Sequence, residues 1–265
     1  MKLGFIQVYN EVNWIGYALD QAMMLCDEVL IMEGSQYANF LDIPERSDDG
    51  TLDVISNKEK EYPGRIKMAR TTRRHDNYRF NQCDNLNYGL SLCNRGDYLL
   101  WLDADEYCSD HWIKEANAMM RENKVEVIDA DVDSFAFSFK WRIDFDEADR
   151  ASYVLKKVDG LRFAPTARPI NAGKIVEVIS GEKHHFHYTW VKSAARMSIR
   201  MRTSMRYPSM LAWFLDNWHK IELVEGMTYP SYNRNFTLHR YNGEHPSVLD
   251  NHPWRHVEDI RRFDQ

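Results

Sequence analysis

Short apolar runs alternate with helix-patterned stretches through the first half of the chain, and that rhythm leaves few folds open. "KLGFIQVY" (2–9), "DEVLIME" (27–33), "RIKMAR" (65–70) and "YLLWL" (98–102) have the length and composition of buried strands. Between and after them lie "NEVNWIGYALDQAMML" (10–25), with Val12, Ile15, Leu19 and Met23 at helical spacing behind an Asn cap, then "GTLDVISNKEK" (50–60), "NQCDNLNYGLSLC" (81–93) and "SDHWIKEANAMMREN" (109–123). Strands and helices in alternation predict an α/β fold, a mostly parallel Rossmann-like central sheet with helices on both faces. Ligands of such sheets bind beyond the carboxyl ends of the strands. Glu33 and the cluster Asp103, Asp105, Glu106 both stand at such ends.

The rhythm changes near residue 130. "DSFAFSFKWRIDF" (133–145) alternates with period two, and residues 160–190 hold short strands between Pro and Gly, which reads as an antiparallel addition. From Lys192 the chain turns helical and basic, "YPSMLAWFLDNWHKIEL" (207–223) is an amphipathic helix, and a polar, Pro-containing tail follows. The expected division is 1–130, 131–190 and 191–265.

Composition excludes several classes. A net charge of −6 supplies no excess of Lys and Arg for nucleic acid. Cys26, Cys83, Cys93 and Cys108 form no CxxC pair, so they fit a reducing cytoplasm rather than a zinc or disulfide framework. No run reaches the length of a membrane span.

The strand "YLLWL" runs into "DADE" (103–106). Side chains alternate along an extended chain, so Asp103 and Asp105 share a face. A hard divalent cation, Mg²⁺ or Mn²⁺, can be held by such carboxylates together with a substrate's phosphates. The bland reading of the pair is a solvated turn, and Glu106 could simply open a helix.

With these motifs in order, the chain resembles the family 2 glycosyltransferases of the GT-A fold, especially the branch with an "LDADE" strand end that includes lipopolysaccharide-core glucosyltransferases. "VYNEVNWI" is similar to the family's first strand and Asn-Glu turn, "EVLIMEGS" to its second strand, "DDGTLDVI" to its Asp-Gly-Thr helix start and "NYGLSLCNRGDYLLWLDADE" to the approach to its metal motif. The resemblance implies a nucleotide-diphosphate sugar donor, with uridine the first choice of base, a glycan or other hydroxyl acceptor, a divalent cation and inversion at the anomeric carbon. It implies donor contacts at Asn10, Glu11 and Glu33, with Glu33 at the base, Asp103 at the ribose or metal, and Asp105 at the metal. The sequence departs from the family in the insertion "QYANFLDIPER" and in Glu33, where Asp is usual. Residues 1–130 would then be the donor half, 131–190 the acceptor-side strands and 191–265 a helical extension.

"EKHHFHYTW" (182–190) places His185 and His187 on one strand face, and the resemblance makes His187 a third metal ligand. Lys192, Arg196 and Arg200 follow at i, i+4, i+8. Their expected partners are the fold's own acids, the donor diphosphate through Arg200, or an anionic membrane surface touched peripherally. Of the two candidate bases for the acceptor hydroxyl, Glu177, on the apolar strand "KIVEVI", is expected ahead of Asp146, which lies among other acids in "RIDFDEADR". Two other readings remain open: a haloacid-dehalogenase-type phosphatase, whose Asp-x-Asp normally lies on the first strand, and a sugar-nucleotide-binding module without activity.

Overall fold

The computed structural model describes residues 1–36, 43–71, 74–145, 150–164, 169–172, 176–179, 185–203, 209–231 and 235–262. Its first half is the alternation expected: β1 (Lys2–Val8), α1 (Ile15–Leu25), β2 (Glu28–Glu33), α2 (Thr51–Glu61), β3 (Ile66–Arg70), α3 (Tyr78–Ser91), β4 (Tyr98–Asp103), the short β5 (Glu106–Cys108) and α4 (Asp110–Glu122). The strands β4, β1, β2 and β3 lie side by side in that order and all run parallel. The chain runs outward from β1 through β2 to β3 and then crosses back to β4 on the other side of β1, which puts the carboxyl end of β1 between those of β2 and β4. Gln7 pairs with Asp103 on one side and Val8 with Glu33 on the other.

Alternate strand residues feed two cores. Ile6, Val8, Ile31, Leu100 and Leu102 pack with Ile15, Leu19 and Ala22 of α1 and with Trp112 and Ala116 of α4. Leu3, Phe5, Leu30 and Leu99 pack with Cys83, Leu86 and Leu90 of α3 on the opposite face. Helix α3 approaches so closely that a Cβ on Gly89 would lie 2.4 Å from Phe5 Cδ2. No side chain fits there without moving β1 or the helix.

The second half adds β6 (Val127–Ala136), β7 (Trp141–Phe145), β8 (Arg150–Lys156), β9 (Arg162–Phe163), β10 (Pro169–Ile170), β11 (Val176–Val178), β12 (His185–Trp190), α5 (Ala194–Thr203), α6 (Ser209–Asn217), β13 (Thr228–Pro230) and β14 (Asn235–Arg240). Strand β8 extends the parallel sheet by pairing antiparallel to β4, then to β6. Residue 130 falls inside β6, so the sheet runs unbroken across the expected division. The period-two run 133–145 is two strands, β6 and β7, turned at Phe137, whose φ is +68°. The C-terminal third is not all helical: β14 pairs with β7, and its Phe236 and Leu238 join Trp190, Met197, Met201, Trp213 and Trp218 in a third core.

Among the described residues no helix is long and apolar enough to cross a membrane. The four cysteines are buried thiols.

Candidate active site

The carboxyl end of β1 is wired before any ligand is considered. Asn10 is not the cap of α1. It adopts φ +56°, a conformation Asn tolerates better than most residues, and its side chain exchanges hydrogen bonds of 2.9 and 2.8 Å with Asp48. The backbone N–H groups of Asn10, Glu11 and Val12 donate to Ser47 Oγ, Thr51 Oγ1 and Asp49 Oδ2. Asp49 Oδ1 also accepts from Thr51 N, so the Asp-Gly-Thr motif ties the start of α2 to this turn. Glu33 is 2 % exposed and spends both oxygens nearby, accepting from Ser47 N at 2.8 Å and Arg46 Nε at 3.1 Å. Gly34 follows with φ +119°, and a Cβ there would lie 2.7 Å from the carbonyl oxygen of Glu45.

Across β1 lies the acidic cluster. Asp103 ends β4 and accepts from Trp101 Nε1 at 3.2 Å. Burial, with the Glu106 and Asp105 carboxylates beside it, pushes its carboxyl well above the usual range. Asp105 has the opposite fate. Burial opposes its ionisation too, but the Lys192 ammonium, then His187 and Arg200, outweigh it and hold the carboxyl below the ordinary value. Asp105 is thus the anion of the pair.

Glu106 does not open a helix. It starts β5, which pairs antiparallel with β12 and sets His187 opposite Glu106 and His185 opposite Cys108. Helix α4 begins later, capped by Ser109 Oγ, which accepts from Trp112 N. His187 lies between two carboxylates, with Nε2 3.7 Å from Asp105 Oδ1 and Nδ1 3.7 Å from Glu106 Oε1. Behind it His185 is fully buried, stacked on Tyr153 with ring centres 3.6 Å apart, its Nε2 3.6 Å from Glu106 Oε2. Burial pushes the His185 pKa down, so this ring is neutral near pH 7. Burial pushes Glu106 up, but His187 and His185 reverse that and hold it low.

The basic stripe reaches the cluster from the other side. Lys192, in the link between β12 and α5, is 1 % exposed; its Nζ lies 2.8 Å from each oxygen of Glu11 and 3.0 Å from Asp105 Oδ2. Arg196 approaches Glu11 at 3.9 Å. Arg200 donates to Thr189 Oγ1 at 2.7 Å, and its other terminal nitrogen is 3.7 Å from Asp105 Oδ2. Of the three, Arg200 is the cation with substantial exposure, 36 % of its side chain.

Residues of three distant segments thus meet at one point: Glu11, Asp103 with Asp105 and Glu106, and His187 with Lys192, Arg196 and Arg200. Glu177 does not join them. It is exposed on β11, paired with Ile128, whereas His187 pairs with Ser134 six residues further along β6, about 20 Å away at the strand rise. Asp146 lies outside the described residues. Lys192 meets one of the fold's own acids, as expected of the stripe; that the acid is Glu11 and the site buried depends on the fold, because 181 residues separate the partners.

Among the described residues no group of three or more His, Cys, Asp or Glu is arranged to hold a metal ion. The pair Asp105 Oδ1 and His187 Nε2 has the ligand chemistry for a shared cation and stands 3.7 Å apart, so the two would have to close towards the about 3.0 Å of adjacent ligands in a six-coordinate shell. Cations that keep several waters and take phosphate oxygens need no closed protein cage.

A separate concavity of about 520 Å³ is lined by Arg142, Glu225, His239 and Arg240. Arg142 and His239 are register partners one residue out of phase with Ile143, Ser134 and His187, which puts this hollow on the other face of the sheet.

A model of the family described as "Glycosyl transferase family 2" matches residues 5–152, more than half of the chain, from within β1 through β7. The chain belongs to glycosyl transferase family 2. That membership carries the mostly parallel GT-A, Rossmann-like fold, and it sets aside the phosphatase reading. No curated protein matches the chain. Among solved structures, S. aureus TarS is similar at 12% identity with a TM-score of 0.46, covering 83% of this chain and 44% of that one. A TarS fragment, residues 1–349, gives 12% identity and a TM-score of 0.45, with 82% and 71% covered. The chain therefore spans less than half of the TarS chain.

Proposed function

We propose that this glycosyltransferase transfers a sugar from a uridine-diphosphate-type donor to an acceptor hydroxyl, with a divalent cation at Asp105 and inversion at the anomeric carbon. The observation that supports it most is the open pair of donors, Asp105 Oδ1 and His187 Nε2, beside the half-exposed Arg200 at the carboxyl end of the parallel strands. When bound, Mg²⁺ or Mn²⁺ would offset the charge that develops on the departing diphosphate. The chain's own residues do the rest. Arg200 donates to the diphosphate, and its bond to Thr189 fixes the guanidinium beforehand. Asp103, whose carboxyl is pushed up by burial and by its Glu106 and Asp105 neighbours, faces the ribose. Glu33 acts on the base end indirectly, by holding Arg46 and Ser47 in place.

The acceptor hydroxyl must lose its proton as it attacks. Glu177 stands far along β6 from this cluster, so we assign the base role to Asp146 ahead of Glu177. Asp146→Asn should cut transfer by about 10²- to 10⁴-fold with donor affinity retained. If Glu177→Gln causes that loss instead, the order is reversed.

The donor reading is tested by thermal melting with nucleoside diphosphates, with and without Mn²⁺, since a ligand bound only by the native state raises its stability. A rise with uridine diphosphate that requires Mn²⁺, followed by release of that nucleotide from a sugar-nucleotide panel in the presence of acceptor, is expected. Failure of every nucleoside diphosphate to raise the melting temperature overturns the donor assignment. Binding without turnover would leave a module that holds sugar nucleotides but transfers nothing.

A further inference from the structure

The three short contacts of Lys192 divide Asp105 into two halves. Oδ2 is held by the ammonium at 3.0 Å, while Oδ1 faces His187 Nε2 at 3.7 Å. The same ammonium takes both oxygens of Glu11, at 2.8 Å each. Glu11 comes from the end of β1 and Asp105 from beyond β4, two carboxylates of neighbouring strand ends that would repel each other across this gap. A divalent cation would relieve that repulsion as well as an ammonium does.

We propose that Lys192 is a positioning residue, an internal counter-cation that keeps Glu11 and Asp105 together and prevents a divalent cation from bridging them, so that Asp105 presents only Oδ1, beside His187, to a ligand. The reading of Asp105 as a cation-facing residue underlies this, but the role of Lys192 does not depend on turnover. A simple packing role for Lys192 would leave metal affinity unmoved when its charge is removed. A countercharge role would not, because a positive charge a few ångströms away opposes cation binding at both carboxylates.

The test is the affinity for Mn²⁺ alone, without nucleotide, read from the free Mn²⁺ signal in electron paramagnetic resonance titrations. Lys192→Met should bind Mn²⁺ on the order of tenfold more tightly than the unchanged protein, since Glu11 and Asp105 both lose their nearest countercharge while Arg196 and Arg200 stay farther off. Lys192→Arg, which keeps the charge, should not. Lys192→Met leaves two buried carboxylates unbalanced, so the double variant Lys192→Met with Glu11→Gln, which removes one charge of each sign, decides the matter if the single variant does not fold. It should still exceed the unchanged protein, by less than Lys192→Met, because only Asp105 Oδ2 is released. If neither variant gains Mn²⁺ affinity, Lys192 is a packing residue and the proposal falls. The donor reading fails on a different measurement, the absence of Mn²⁺-dependent nucleotide binding by the unchanged protein, so the two failures are told apart.

Discussion

His187 Nε2 faces Asp105 Oδ1 across 3.7 Å, too long for a hydrogen bond and a short closure away from adjacent ligands of one cation. If that gap is a cation's place, Asp105→Asn and His187→Ala should each remove the Mn²⁺-dependent part of uridine diphosphate binding while leaving the nucleotide's metal-free binding in place. Calorimetric titration with and without Mn²⁺ reads the two parts separately. Equal Mn²⁺ dependence in the variants and the unchanged protein would refute the assignment. His187→Ala alone keeping it would leave Asp105 as the sole protein ligand.

Asp103 titrates against its surroundings. Its carboxyl is pushed above the unfolded value of about 3.9, so the fold holds that proton more tightly than the unfolded chain does. The group's contribution to stability is then fullest below about pH 4 and is lost as the pH rises through its raised value. Asp103→Asn removes the penalty and keeps an oxygen for Trp101 Nε1. Without divalent cation, the variant should therefore gain stability over the unchanged protein as pH rises from about 4 to 7, by up to about 1.4 kcal/mol per pH unit over the part of the range where the proton is retained. Urea melts across that range check it. A variant that is less stable at neutral pH contradicts this account.

Glu33 separates loop construction from direct base contact. Its carboxylate accepts the Ser47 N–H in a buried setting, so Glu33→Ala should cost about 1–3 kcal/mol by leaving that donor unpaired. The Arg46 contact adds little, because the arginine side chain is 43% exposed. Urea denaturation should show the loss, and Glu33→Gln, which still offers an oxygen, should show much less. Unchanged stability of Glu33→Ala together with weakened nucleotide binding would make Glu33 a direct contact to the base.

How much of this could be read along the chain depends on whether a feature is local. The strands β1 to β4 and helices α1 to α4 carry their own periodicity and stand where expected, except that α1 starts at Ile15 and not behind Asn10. Asp103 and Glu33 are neighbours across β1 because parallel alternation requires it. Strand β5 has three residues, too few for any period, and it exists because β12 pairs with it. Strand β14, "NFTLHR", does alternate, with Phe236 and Leu238 inward, but six residues amid turn formers did not stand out from a tail. The basic stripe was visible as Lys192, Arg196 and Arg200. That Lys192 would be sealed between Glu11 and Asp105 depends on where β12 delivers the chain, which no local pattern encodes.

The C-terminal segment supplies an acid-sensitive fastening for the same region. His252 packs its ring on Trp14 at 4.4 Å between centres and near Tyr17 at 5.0 Å, just after the Glu11 turn. Its Nε2 lies 3.0 Å from the Asn13 carbonyl oxygen, and its Nδ1 accepts from Trp254 N at 3.1 Å. Nε2–H donating and Nδ1 accepting is the neutral imidazole, since a second ring proton would point at the Trp254 N–H. Burial accordingly brings the His252 pKa down to about 4, with the bond to Asn13 a smaller opposing effect. The unfolded chain takes up this proton near pH 6.5 and the folded chain only near 4. His252 therefore supports the fold fully above about pH 6.5, and acidification to pH 4 withdraws about 3 kcal/mol. His252→Gln cannot titrate, so its stability should fall less than that of the unchanged protein by about this amount between pH 7 and pH 4. Urea melts of both proteins across the range give the difference directly. Parallel pH profiles would mean that the ring takes up its proton without leaving its place against Trp14, and the fastening would not be acid-sensitive.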